Sequence, residues 1–197
     1  MKHKIGFSLI AASFLFIGAG CATTVETQTP VKTQPVVETH TTYTNEMFGY
    51  KITYPKTFTQ LDSKIENADL SLAFPTTFTE GTNLSEAKIN VSAHKEIKIP
   101  SEPACLTHPY TSQPLTEFVM HAGEKFYTYN VEDAGAGQRY NYRGYQILKD
   151  NVCYTVVMLL HSSAIENYDV VNRPIAFDNL AVVAAFDSIF ATFTFSK

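Results

Sequence analysis

Residues 152–160, VCYTVVMLL, form an almost unbroken apolar run rich in β-branched side chains. A run this short and valine-rich reads as a strand, and continuous apolarity, where a half-buried strand would alternate, implies cover on both faces. The rest of the chain must then supply neighbouring strands and the layers that pack on them.

The neighbours are visible as period-two patterns. Tyr50, Ile52 and Tyr54 alternate with polar residues, as do Ile89, Val91 and Ala93, and 70–74 reads LSLAF. Segment 126–147 places Tyr127, Tyr129 and Val131 before DAGAG at 133–137, then Tyr140, Tyr142 and Tyr145, the pattern of a long hairpin. Two helices are expected. One opens at Pro114, puts Leu115, Phe118, Val119 and Ala122 on one face and stops at Gly123. The other starts at Asp178 as N-cap and turns Val182, Val183, Phe186, Ile189 and Phe190 to the core. A short strand at 192–195 follows. The expected class is α+β, a mainly antiparallel sheet flanked by helices.

Ahead of this domain the composition changes twice. Residues 1–4 are basic, 5–17 almost wholly apolar and 18–20 small, which is the anatomy of an export signal. The apolar stretch is shorter than the roughly 20 residues a membrane span needs. Residues 22–43 are rich in Thr, Val, Pro and Gln with no apolar face, so they read as a semi-extended tether stiffened at Pro30 and Pro35. The expected organisation is a signal over 1–20, a tether over 21–44 and one globular domain over 45–197.

Gly18-Ala19-Gly20-Cys21 resembles the bacterial lipobox, with Gly18 where that pattern carries a branched aliphatic. The resemblance implies cleavage before Cys21 and acylation of its thiol, hence a protein anchored to a membrane without spanning it. Two or three acyl chains at about 0.8 kcal/mol per buried methylene give lasting attachment. The alternative is ordinary cleavage that leaves a free thiol. Ala22 after the cysteine implies an outer-membrane address facing the periplasm if the cell is Gram-negative.

Without residues 1–20 the chain holds 13 basic and 19 acidic residues, a net charge of −6 with histidine neutral. That sign argues against nonspecific nucleic-acid binding, which relies on basic clusters to displace phosphate counterions. It equally disfavours electrostatic docking on an anionic leaflet, so membrane contact falls to the lipid. With Cys21 modified, Cys105 and Cys153 remain, and an exported chain invites a bridge between them. The alternative is two separate buried thiols.

"GTNLSEAKINV" at 81–91, "DAGAGQRY" at 133–140, "CYTVVMLLHSS" at 153–163 and "AFDNLAVVAAFDSIFATFTF" at 176–195 resemble a group of bacterial exported proteins. With the early Tyr-x-Ile-x-Tyr-Pro strand and the late helix, they are similar to PsbP-like domains. That resemblance implies an α/β/α sandwich and an assembly or accessory role, and it carries no catalytic residues.

The residues themselves show no catalytic motif. His94, His108, His121 and His161 lie outside metal-ligand spacings, and no cofactor is implied. Ser162 and Ser163 follow His161 without a nucleophile elbow. Gly135-Ala136-Gly137 reads as a turn, and Glu132 and Asp133, adjacent on a strand, point to opposite faces. The candidate interaction surface is Arg139, Tyr140, Tyr142, Arg143 and Tyr145, a composition typical of recognition hot spots. A second is the loop 99–113 held by Cys105. The expected function is a noncatalytic binding or accessory domain for an envelope protein or other envelope component. The competing class is a small hydrolase or ligand-binding lipoprotein with a site assembled near His161, Asp133 or Glu132.

Overall fold

The computed structural model describes residues 39–62, 66–96 and 105–196. Cys21, the signal and most of the tether lie outside the described residues, as does 99–104 of the second candidate loop.

Ten strands and one α-helix make up this part. Strands β1 (His40–Asn45), β2 (Tyr50–Pro55) and β10 (Thr194–Phe195) form a small antiparallel sheet in the order β1-β2-β10. The larger sheet runs β3-β4-β5-β9-β8-β7-β6, from β3 (Thr59–Gln60), β4 (Leu70–Ala73), β5 (Leu84–Lys95), β6 (Phe118–His121), β7 (Glu124–Gly135), β8 (Gln138–Lys149) and β9 (Val152–Ser163). Helix α1 spans Asn179–Phe190.

Three two-residue turns set the register of the β6-to-β9 meander. Ala122-Gly123, Ala136-Gly137 and Asp150-Asn151 all carry positive φ, between 50° and 84°. Such turns twist in the same sense as the flanking strands and hold them in tight hairpins. The expected hairpin over 126–147 is therefore present, with Gly135 paired to Gln138 across its end.

The helix expected from Pro114 is absent. Residues 118–121 form edge strand β6 on β7, and Phe118, Val119 and Met120 are exposed. Helical spacing there had no core to face, while the Ala122-Gly123 turn brings the segment back onto a ready ladder. What reads as a helix stop is a hairpin turn. The first strand begins at His40, inside the stretch read as tether, because 40–45 alternate against all of β2.

Strand β9 is central, between β5 and β8, but only one of its faces is fully buried. Tyr154, Val156, Met158, Leu160 and Ser162 are buried, whereas Thr155, Val157, Leu159 and His161 on the other face are half-buried. The buried face packs against α1 and the small sheet. Val182, Phe186, Ile189 and Phe190 enter this core, as expected from the helix pattern, with Tyr50, Ile52, Leu72, Ile89, Val91 and Phe193. Each such side chain contributes about 1.5–3 kcal/mol on burial. Asp178 caps α1 by accepting from the Ala181 N–H at 3.0 Å. Thr192 locks the helix end to β2, accepting from Thr53 N and donating to Thr53 O, both at 2.8 Å. Among the described residues the architecture is thus sheet-dominated, with α1 packed on one side and fewer helices than an α/β/α sandwich implies.

Candidate functional site

Strand β8 carries all five residues of the expected surface, and its alternation divides them. Arg139, Arg143 and Tyr145 share the face of Asn141 and Ile147, toward α1; Tyr140 and Tyr142 occupy the opposite face. Residues of mixed parity on one strand cannot form a single patch. Arg139 is exposed at the strand end, 3.5 Å from Glu166 across solvent.

On the helix side, Arg143 and Tyr145 are tied to α1. The Tyr145 phenol donates to Asp187 Oδ1 at 2.8 Å, and Arg143 Nε and Nη2 donate to the two Asp187 oxygens at 3.3 Å. Arg143 Nη2 also donates to the Tyr145 oxygen at 3.1 Å. Tyr145 is 4% exposed, its ring stacked on Phe190. Burial first, then the hydrogen bond to Asp187, push its phenol above the ordinary tyrosine range. These two residues therefore build the fold. Beside them is a cleft of about 450 Å³ where Asn130, Glu132, Asn141 and Arg143 stand over a floor of Met158 and Leu160.

The other face has a different character. Tyr140 lies flat on His161, ring centroids 4.5 Å apart and nearly parallel, directly across the β8–β9 ladder. Tyr142 meets Tyr110 from the 105–117 segment at 6.1 Å. Burial, followed by the Tyr110 hydroxyl, raises the Tyr142 phenol. Tyr129, on β7, covers Gly144 and contacts His108 edge-on. Half-buried Val157 and Leu159 continue the surface on β9. On β5, Lys88 pairs with Glu66 at 2.6 Å and Glu86 at 3.3 Å, which leaves the group with a net negative charge. The result is a broad, aromatic face, crossed by the 105–117 segment at Tyr129 and Tyr142 and met by Glu66 at Lys88.

Cys105 and Cys153 form the expected disulfide, Cα atoms 5.7 Å apart, which fastens the segment after residue 104 to β9. His121 is structural: its Nε2 is 2.6 Å from the Phe193 carbonyl and its ring packs on Phe190. His161 Nε2 is bonded to Gln138 Oε1 at 2.8 Å, while Ser162 turns into the opposite, buried face. Glu132 and Asp133 diverge as expected, Asp133 accepting from the Ala134 N–H. Ser162 and His161 therefore lie on opposite faces of β9, whereas Glu86 stands across from His161 in the β5–β9 ladder. His94, Glu96 and Cys153 do come together, with one donor atom of each within 4.8 Å of the others. Sequence reasoning missed this group, because the only local signal is His94-x-Glu96 and its partners arrive through strand pairing.

No family model matches the sequence, and a search of curated proteins finds no similar one. Solved structures do match in part. A chain from Bacteroides thetaiotaomicron shares 8% identity over 79% of this chain at a TM-score of 0.45, and the match spans 48% of that chain, about half its length. LpqN, described as involved in cell envelope biogenesis of Mycobacterium tuberculosis, shares 11% identity over 81% of this chain and 91% of its own, at 0.43. Cyanobacterial PsbP from Synechocystis shares 15% over 85% and 99%, at 0.31.

Proposed function

We propose that this chain is a lipid-anchored, extracytoplasmic and noncatalytic binding domain that docks an envelope protein partner on the open face of its larger sheet. The observation that carries the reading is the contrast between the two faces of β8 and β9. One face is sealed by α1 and the small sheet; the other presents Tyr140, Tyr142 and His161 beside Val157 and Leu159. Protein interface cores are rich in tyrosine, as this face is. The export signal, the lipobox-like Cys21 and the tether support an anchored location, the outer membrane facing the periplasm in a Gram-negative cell. Among the described residues no helix is long and apolar enough to cross a membrane. The PsbP-like motif pattern supports an accessory role, and the negative charge argues against nucleic acid as partner.

The test is site-specific photocrosslinking in intact cells, with the reactive group placed at Tyr142 or, as control, at Leu180, which is 81% exposed on α1. The proposal expects one recurrent protein adduct from position 142 that position 180 does not give, and its loss when Tyr140 is changed to Ala. Equal labelling from both positions, or none from 142, overturns it. A small molecule retained by purified protein and released by Arg143→Ala would instead assign binding to the 450 Å³ cleft.

A further inference from the structure

His94 lies at the end of β5, next to its last residue Lys95 and two residues before Glu96, so an extended backbone turns the His94 and Glu96 side chains to the open face. Cys153 sits opposite His94 in the β5–β9 ladder. Cys105 is brought to the same place by its bond to Cys153. The Cys105 backbone N–H donates to both Glu96 carboxylate oxygens, at 3.1 and 3.3 Å, which holds that carboxylate beside the sulfurs. An imidazole, a carboxylate and two sulfurs thus converge from three chain segments, and none of the four is used by the binding face proposed above.

We propose that the reduced protein binds Zn²⁺, or a divalent ion of the same borderline-soft class, through Cys105, Cys153, His94 and Glu96, and that the disulfide closes this site. The donor set matches the nitrogen, sulfur and oxygen ligands that such an ion takes in tetrahedral sites. Bonds of about 2.0–2.3 Å place tetrahedral donors roughly 3.5 Å apart, so His94, Glu96 and Cys153, whose donor atoms already lie within 4.8 Å of one another, need only small side-chain movements, and Cys105 joins them from its place beside Cys153. Oxidised, the sulfurs are neutral and bonded to each other, leaving His94 and Glu96 as a two-donor remnant. Reduced, they supply two thiolates and complete the set.

The switch requires a dithiol reductant. One of its thiolates attacks a sulfur of the Cys105–Cys153 bond, and its second thiolate resolves the mixed disulfide. The reductant leaves as a cyclic disulfide having given two electrons, and the protein keeps two thiols. Metal binding then releases their two protons. By linkage, the ion draws the equilibrium toward the reduced form, so the bridge becomes easier to reduce when the ion is present.

The full chain carrying Cys21→Ser, so that only two cysteines respond, is prepared oxidised and phosphine-reduced and titrated with Zn²⁺ against a chromophoric chelator. Co²⁺ serves as a spectroscopic stand-in. The reduced protein should take up one equivalent at least about 100-fold more tightly than the oxidised one, with thiolate-to-cobalt charge transfer and tetrahedral ligand-field bands. His94→Ala and Glu96→Gln should each weaken binding about tenfold or more, whereas His108→Ala should not. Absence of binding in the reduced form overturns the proposal. So does undiminished binding in both His94→Ala and Glu96→Gln, which would mean chelation by two loose thiols, including the case in which reduction unfolds the chain.

Discussion

Tyr145 of β8 and Asp187 of α1 join sheet to helix through one short hydrogen bond, 2.8 Å from phenol to carboxylate, backed by the stack of Tyr145 on Phe190 at 3.8 Å. Arg143 reinforces the pair from the same strand face. Polar bond and ring stack can be separated by substitution. Tyr145→Phe keeps the stack and should cost about 0.5–1.5 kcal/mol, the net value of a hydrogen bond. Tyr145→Ala removes both and should cost about 3–5 kcal/mol. Urea unfolding midpoints measure the difference; equal losses would show that the ring contributes nothing beyond its hydroxyl.

Gly144 is the position where Tyr129 lies across the sheet. A Cβ there would stand 2.2 Å from Tyr129 Cζ and 2.4 Å from Cε1, so the ring must move aside. Gly144→Ala should therefore destabilise by about 1–3 kcal/mol as an overpacking change. In a Tyr129→Ala background the same substitution should cost markedly less, because the two residues share one space. Additive losses in the double-mutant cycle would refute this account.

Much of the fold is legible from residue patterns, and the misreadings have a common physical origin. Strands β2, β4 and β5, the 126–147 hairpin and α1 follow from periodicity and caps, since each buries the stripe its pattern displays. Segment 118–121 does not, because a helical stripe decides nothing where no core receives it and a strand edge lies one turn away. The apolar run in β9 reflects a central position, yet Val157 and Leu159 remain half-buried, since apolarity does not say which face another layer will cover. The Cys105–Cys153 bridge was readable from cysteine count. The division of the Tyr/Arg group was readable from strand parity, but its ties to Asp187 and His161 depend on pairing between distant segments.

Alkaline titration offers a test of core packing. Burial, followed by the nearby Tyr110, pushes the Tyr129 phenol up to about 12. Burial and then Asp69 raise Tyr50 as well. An unfolded tyrosine loses its proton near pH 10. Between about pH 10 and 12 the native state holds a proton that the unfolded chain has released, so this stabilisation is complete below pH 10 and falls as pH rises through the window. Urea unfolding from pH 8 to 11.5 should show that decline, and Tyr129→Phe, with nothing to ionise, should show a shallower one. Identical slopes for the two proteins would mean that Tyr129 is not sealed from solvent.

The proposed anchored location rests on the Cys21 thiol, and one atom decides it. If that sulfur is acylated, Cys21→Ser removes the attachment while leaving the signal and the folded domain untouched, because position 21 precedes the first strand at His40. The variant should move from the membrane fraction to the soluble envelope fraction and lose incorporation of labelled palmitate. Two or three acyl chains hold a protein lastingly where one is marginal, so the redistribution should be nearly complete. The crosslink from position 142 should weaken with it if the partner is membrane-bound, since the proposed lipid anchor would hold the chain at that surface and raise its effective concentration there. An unchanged fraction and unchanged label would mean that Cys21 is not the anchor, and that the resemblance of 18–21 to a lipobox stops at its small residues.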